Sequence, residues 1–229
     1  EKFKVYDDFF GEREEAPSTS ALYITPAALK RRVAAPWWIV DVINKTSRHT
    51  RECPNIERGA SIRGSIKALD HTYSSVEMRR GNVSTLADVA NGLKIALRGR
   101  IRLRADLIGF EESMSETMSK YNLVVEDVMW YAVRDVGSRV LVGLGEELDK
   151  ESLGKEVDHL LSADGDFMDN LQSHLLVSEA IRLMDETAPQ ETVQRVEGLE
   201  ELLRSSPEST DPSVLEEYRF SAVELLANT

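Results

Sequence analysis

The sequence predicts an all-α protein in two parts, a small basic helical bundle followed by an acidic helical domain. Three observations carry this expectation. Apolar residues recur at helical spacing along most of the chain, as at Ile62, Ile66, Leu69, Tyr73 and Val76, while strand-type alternation is nearly absent. Residues that start or stop helices separate these stretches: Thr25-Pro26, Pro36, Ser61, Gly81-Asn82, Thr85, Asp149, Pro189, Pro207 and Asp211-Pro212. The charge also changes sign along the chain. Residues 1–106 carry 19 Lys+Arg against 13 Asp+Glu, a net of +6, and residues 107–229 carry 9 against 27, a net of −18. A shift this sharp near Asp106 predicts two units with different surfaces.

Taken in order, residues 1–20 mix charges with Gly11, Pro17 and serines and read as an extended lead-in, with one strand near Phe3–Val5. Thr25 as N-cap and Pro26 at the first helical position start a short helix that reaches Val33. Pro36 restarts the chain. From Trp37 the residues Trp38, Ile39, Val42 and Ile43 share one helical face, so a helix is expected to about Thr50. Pro54 to Gly59 is a loop. The stripe from Ile62 to Val76 defines a helix from Ser61 to near Arg80, stopped by Gly81-Asn82. Thr85 to Asp88 has the spacing of a capping box, with Asp in place of the favoured Glu. The helix it opens buries Leu86, Val89, Ala90, Leu93 and Leu97.

In the second half, helices are expected near 111–121, 124–142, 150–163, 166–187, 189–205 and 212–227. Val124, Val128, Tyr131, Ala132, Val136, Val140 and Leu141 form a long apolar stripe, read as internal core. Trp37, Trp38 and Trp130 sit on apolar stripes and are expected in the core or at an interface. The organisation is therefore a lead-in (1–20), a helical bundle (21–106) and an acidic helical domain (107–229).

Composition excludes several classes of function. Hydrophobic residues make up 41% of the chain, yet no apolar run approaches the ~20 residues of a membrane helix. No signal-peptide core follows the N-terminus. The single cysteine, Cys53, rules out an internal disulfide and fits a reducing, cytoplasmic setting. The chain begins at Glu1 rather than Met and is expected to be part of a longer protein. The acidic half would repel phosphates, which argues against nucleic acid as its partner. His49, His71, His159 and His174 lack metal-site spacing, and no metal site is expected. Asp164-Gly165-Asp166 reads as a turn between helices, capped by Asp166.

The candidate chemistry lies at Gly59-Ala60-Ser61-Ile62-Arg63. A helix start has free backbone N–H groups and the positive end of the dipole. Arg63 adds a guanidinium whose planar fork suits phosphate, and Gly59 and Gly64 permit close approach of a backbone or a nucleotide. On these residues alone, a solvated arginine remains the alternative. Arg98, Arg100, Arg102 and Arg104 alternate at a spacing of two. On a helix they would spread around the surface, and on an extended segment they would share one face. Contact with an acidic neighbour and simple solvation both remain open for them.

The stretch Ile39–Gly64, with Thr50-Arg51, Pro54 and Gly59-Ala60-Ser61-Ile62-Arg63, resembles the lid subdomain of MoxR-type and magnesium-chelatase-type AAA+ ATPases. The likeness continues through Arg80-Gly81-Asn82-Val83-Ser84-Thr85-Leu86-Ala87-Asp88-Val89 and Leu97-Arg98-Gly99-Arg100-Ile101, covering about residues 21–104. Ile62 stands where the family has proline, and Gly99 where it has histidine.

The resemblance implies that Arg63 is the sensor-2 arginine reaching the γ-phosphate of ATP, with Gly59, Ser61 and Arg63 at the nucleotide. It implies ATP and Mg²⁺ in the longer protein, an AAA+ core subdomain in cis, a homo-hexamer, remodelling of client proteins, and a partner with a von Willebrand A domain. No Gly-x-x-x-x-Gly-Lys-Ser/Thr loop and no acidic strand-end motif occur in the chain. The chain alone is therefore expected not to hydrolyse ATP, although the longer protein would. The alternative is a stand-alone helical module, helix-turn-helix-like, that binds nucleic acid or protein.

Overall fold

A computed structural model describes residues 33–109, 113–143, 149–186 and 212–229. The expected lead-in, the strand near Phe3–Val5, the helix start at Thr25 and the helix at 189–205 lie outside these residues. Eight α-helices and one two-stranded sheet are seen among the described residues, so the protein is predominantly helical, as the sequence predicts. In chain order they are α1 (Trp37–His49), β1 (Ile56–Arg58), α2 (Ile62–Met78), α3 (Leu86–Leu97), β2 (Arg102–Leu103), α4 (Met114–Gly143), α5 (Lys150–Ser162), α6 (Phe167–Ser173), α7 (Leu175–Glu186) and α8 (Pro212–Ala227). A 3-10 turn, Ala105–Leu107, follows β2.

Helix α1 is the centre of the core. Trp38, Ile39, Val42 and Ile43 are all buried along its length. Trp38 donates its Nε1–H to Ser221 Oγ at 3.1 Å, and Ser221 donates onward to the Ser84 carbonyl at 2.9 Å. That chain satisfies the indole, as burial of tryptophan requires. It also ties α1, the turn before α3 and the last helix together. Tyr131 is 57% exposed and leaves the core in which the sequence places it, while Trp130, expected in the core or at an interface, is 37% exposed and outside the core. Val124, Val128, Ala132, Val136 and Val140 of α4 do form the expected buried stripe.

Helix α2 is rotated relative to its expected face. Ile62 is 73% and Ile66 57% exposed, and the buried face is Gly64, Ser65, Ala68, Thr72, Ser75 and Val76. The reason is close packing against α3, where α2 makes its most extensive contact. A β-carbon at Gly92 of α3 would stand 2.5 Å from Thr72 Oγ1 and 2.8 Å from the Ala68 carbonyl oxygen. Small residues on both helices bring the backbones together, and a bulkier stripe could not fit there.

Cap chemistry holds where the sequence places it. Thr85 and Asp88 make both halves of the capping box of α3. Asp88 is nearly fully buried and also accepts from Ser75 Oγ at 2.8 Å and from Arg79 Nε at 3.1 Å. Asp149 caps α5, and Asp166 caps α6 by accepting from the N–H groups of Met168 and Asp169. At the end of α2 the left-handed residue is Arg80 (φ 61), one position before Gly81, whose N–H bonds the Val76 carbonyl.

Three boundaries differ from expectation. Helix α4 runs unbroken from Met114 to Gly143, with no interruption near 121–124. The helix expected at 166–187 is split at His174 into α6 and α7. The loop Pro54–Gly59 contains β1, which pairs antiparallel with β2, Ile56 opposite Leu103. Ile56, Ile101 and Leu103 are buried beneath this ribbon while Arg102 faces out.

The boundary expected near Asp106 falls inside one unit, Arg32–Thr229. Its hydrophobic core runs from α1 to α8.

Candidate functional site

The site predicted from the sequence is built on the junction between α1 and α2. Thr50, one residue past α1, accepts the Ala60 N–H on its Oγ1 at 2.9 Å, and Arg51 donates its Nε–H to the Ala60 carbonyl at 2.9 Å. The pair holds both backbone groups of Ala60, its N–H and its carbonyl, and fixes the loop that leads into α2. Gly59 lies against Arg51: a β-carbon there would be 2.5 Å from Arg51 Cγ and 2.8 Å from its backbone nitrogen. Thr50-Arg51 and Gly59-Ala60 thus act as one clamp, and only glycine fits beneath the arginine.

Ser61 is the N-cap of α2 in extended conformation, and its side chain makes no capping bond. It is exposed, as is Arg63 in the first turn, and Arg63 has no hydrogen-bond or ion-pair partner among the described residues. Gly59 and Ser61 line a groove of about 550 Å³ together with Arg58, Gly99, Arg100 and Arg102. Glu57 also borders it and pairs with Arg102 at 3.2 Å, both side chains well exposed. Three arginines against one glutamate leave the groove positive, beside a helix N-terminus. Arg63 stands outside the groove wall, next to the uncovered Ile62 and Ile66. Gly99 has φ +73, a left-handed backbone that a residue with a side chain would adopt only under strain, so glycine suits this turn.

Sequence reading missed Arg58, because its convergence with Arg100 and Arg102 depends on the pairing of β1 with β2. Neighbouring alternation around Ile101 and Leu103 was the available signal. Arg104 lies apart and pairs locally with Asp106 at 3.1 Å.

The residues fit part of a nucleotide. Arginine side chains and free helix N–H groups are what a phosphate requires. Mg²⁺ requires oxygen ligands, and among the described residues no group of three or more His, Cys, Asp or Glu is placed to hold a metal ion.

Cys53 is half-buried beside a separate cavity of about 290 Å³ shared with His49, Asp127 and Tyr131. His49 packs edge-on to Tyr131 and lies 3.5 Å from Asp135, which is bonded to Lys45. That hydrogen bond from Lys45 holds the Asp135 carboxyl below its ordinary range. The cluster fastens α1 to α4.

No helix among the described residues is long and apolar enough to cross a membrane. Comparisons with protein-family models, curated proteins and solved structures each find no match to this chain.

Proposed function

We propose that the first part of this chain is the lid of an AAA+ ATPase related to the MoxR and magnesium-chelatase types. In this reading Arg63 presents its guanidinium to the γ-phosphate of ATP held on a core subdomain. The observation that carries it is the state of α2. Its first turn holds an arginine with no partner among the described residues, flanked by isoleucines left uncovered at 73% and 57% exposure. Ile62 and Ile66 border a cavity of about 240 Å³ with Val40, Ile43 and Leu69. An apolar face joined to an unpaired cation is the surface of a part that meets another body.

The chemistry follows from this geometry. The guanidinium offers charge and a planar donor fork where negative charge gathers during phosphoryl transfer. Bound ATP with Mg²⁺ supplies the phosphoryl group, and the core subdomain must supply the phosphate-binding loop and the metal ligands. The chain alone should therefore show no ATP turnover above background when phosphate release is measured with Mg²⁺-ATP. A hexamer, client remodelling and a von Willebrand A partner belong to the same proposal.

Ile66→Asp in the longer protein tests the docking face. Ile66 is exposed, so the substitution should leave the melting temperature of this chain nearly unchanged while lowering ATP turnover about tenfold or more. Undiminished turnover with the charge in place contradicts a docked lid.

The exposed arginines at 58, 98, 100 and 102 favour one second reading, a stand-alone module that binds nucleic acid. Binding of residues 1–229 to duplex DNA at low salt, weakening steeply with added salt, would support it. No binding at low salt removes it.

A further inference from the structure

Helix α4 buries one face and leaves the opposite one bare. Its buried stripe of valines and alanine points into the core, while Leu123, Asp127, Trp130, Arg134 and Ser138 are exposed, with Tyr131 beside Trp130. Steps of three and four residues put the exposed set on a single stripe about four turns long. Leu123 is 57% exposed and stands two turns from Trp130 on this stripe. A lone surface leucine needs no explanation, but leucine, tryptophan and tyrosine on one helix face form the kind of patch found at interfaces.

The charges on the stripe point to what covers it. Most charged side chains of α4 are engaged within the chain. Glu126 pairs with Lys94, Asp135 with Lys45 and Arg139 with Asp41. Lys120 donates to the Leu107 carbonyl, and Glu116 accepts from Ser113. Asp127 and Arg134 alone have no side-chain partner among the described residues. One acid and one base are therefore left over, on either side of Trp130 and two turns apart.

We propose that this stripe is the interface of a symmetric dimer, in which α4 of one copy lies antiparallel against α4 of a second copy, with the two-fold axis at Trp130 and Tyr131. This register sets Asp127 of each copy against Arg134 of the other, and does so twice, as a self-complementary interface requires. A parallel pair would oppose Asp127 to Asp127 and Arg134 to Arg134. The antiparallel register also brings Trp130 of each copy against Tyr131 of the other. Tyr131 and Asp127 wall the cavity of about 290 Å³ beside Cys53 and Pro54, so an aromatic anchor and a hollow lie next to each other on the same face. One helix face is small for a specific interface, so the association is weak and depends on concentration. The stripe shares no residue with α2, and the dimer stands or falls separately from the lid reading.

Sedimentation equilibrium of the chain between about 1 and 300 µM tests the interface. The mass should rise with concentration from 25.7 kDa towards twice that value. Asp127→Arg and Arg134→Asp each oppose like charges and should weaken the dimer about tenfold or more. Both residues are exposed and unpaired, so the two variants should melt close to the parent. Mixed in equal amounts, they should associate within about threefold of the parent, because each mixed pair again matches acid with base on both sides. Trp130→Ala, which removes the anchor, should also weaken the dimer about tenfold. Ile66→Asp, on the face of α2, should leave it unchanged. A chain that stays monomeric at every concentration overturns the proposal and leaves the stripe to a different protein. Undiminished association in Trp130→Ala or in either charge reversal overturns it as well. The same holds for a mixture that associates no better than its components, or for a dimer lost in Ile66→Asp.

Discussion

The contact between α2 and α3 depends on single residues. Gly92 faces the Ala68 carbonyl oxygen and Thr72, where a β-carbon would stand 2.5 to 2.8 Å from its neighbours. Alanine would gain about 1 kcal/mol of helix propensity, but the backbone oxygen opposite cannot rotate away. Gly92→Ala should therefore destabilise the protein by a net ~1 kcal/mol or more through overpacking. Urea denaturation reads this as a lower midpoint, and an unshifted midpoint contradicts the close approach. At this scale the sequence was informative where chemistry is local. Gly59, Ser61 and Arg63 were named together from their order along the chain, and Gly59 and Ser61 line one groove while Arg63 stands outside it. Arg58 was not named with them, because its neighbours at the groove are more than forty residues away in sequence and meet it only through the ribbon.

At the scale of elements, the start of α3 shows how the acidic half is used. Beside the capping box, Glu224 of α8 accepts the Leu86 N–H at 2.7 Å, and Glu217 accepts the N–H groups of Asn82 and Val83 at 2.8 and 2.9 Å. Two carboxylates from the last helix thus meet the positive end of α3. Burial raises the Glu224 pKa, with help from nearby Asp88, while the Leu86 hydrogen bond and Arg79 pull it down. A carboxyl whose folded pKa lies above its unfolded value favours folding when protonated. That contribution is complete below the unfolded pKa and is lost as pH rises through the folded one. Glu224→Gln keeps an acceptor for Leu86 without the charge. The variant should gain stability relative to the parent as pH rises from 4 to 7, measured as the difference in melting temperature. A difference that is flat or falls with pH contradicts the assignment. Caps made these boundaries readable: Thr85, Asp149 and Asp166 each hold the N–H groups their positions promise. Faces were harder. The larger apolar residues Ile62 and Ile66 drew the expected stripe on α2, whereas backbone proximity selected Gly64, Ala68 and Thr72. Asn122 continues α4 because the helix packs on both sides of it, through Tyr121 and Val125.

On the scale of the whole molecule, opposite charges of the two halves meet. Lys45 pairs with Asp135, Lys94 with Glu126, and Arg79 with Glu217, each a base from the first half and an acid from the second. Arg139 and Asp41 reverse the pattern. Part of the charge asymmetry read from the sequence is thus complementarity within the chain, although exposed pairs of this kind contribute little stability each. Of the groove arginines, Arg102 pairs with Glu57, while Arg58 and Arg100, like Arg63, have no side-chain hydrogen-bond or ion-pair partner among the described residues. The direct test of the lid assignment is single-turnover and steady-state ATP hydrolysis by the longer protein carrying Arg63→Ala. The account predicts that nucleotide binding stays within about threefold of the parent while hydrolysis falls by about tenfold to a thousandfold, the range for loss of one charge-stabilising group. Hydrolysis at the parental rate, with Arg63 removed, would contradict it.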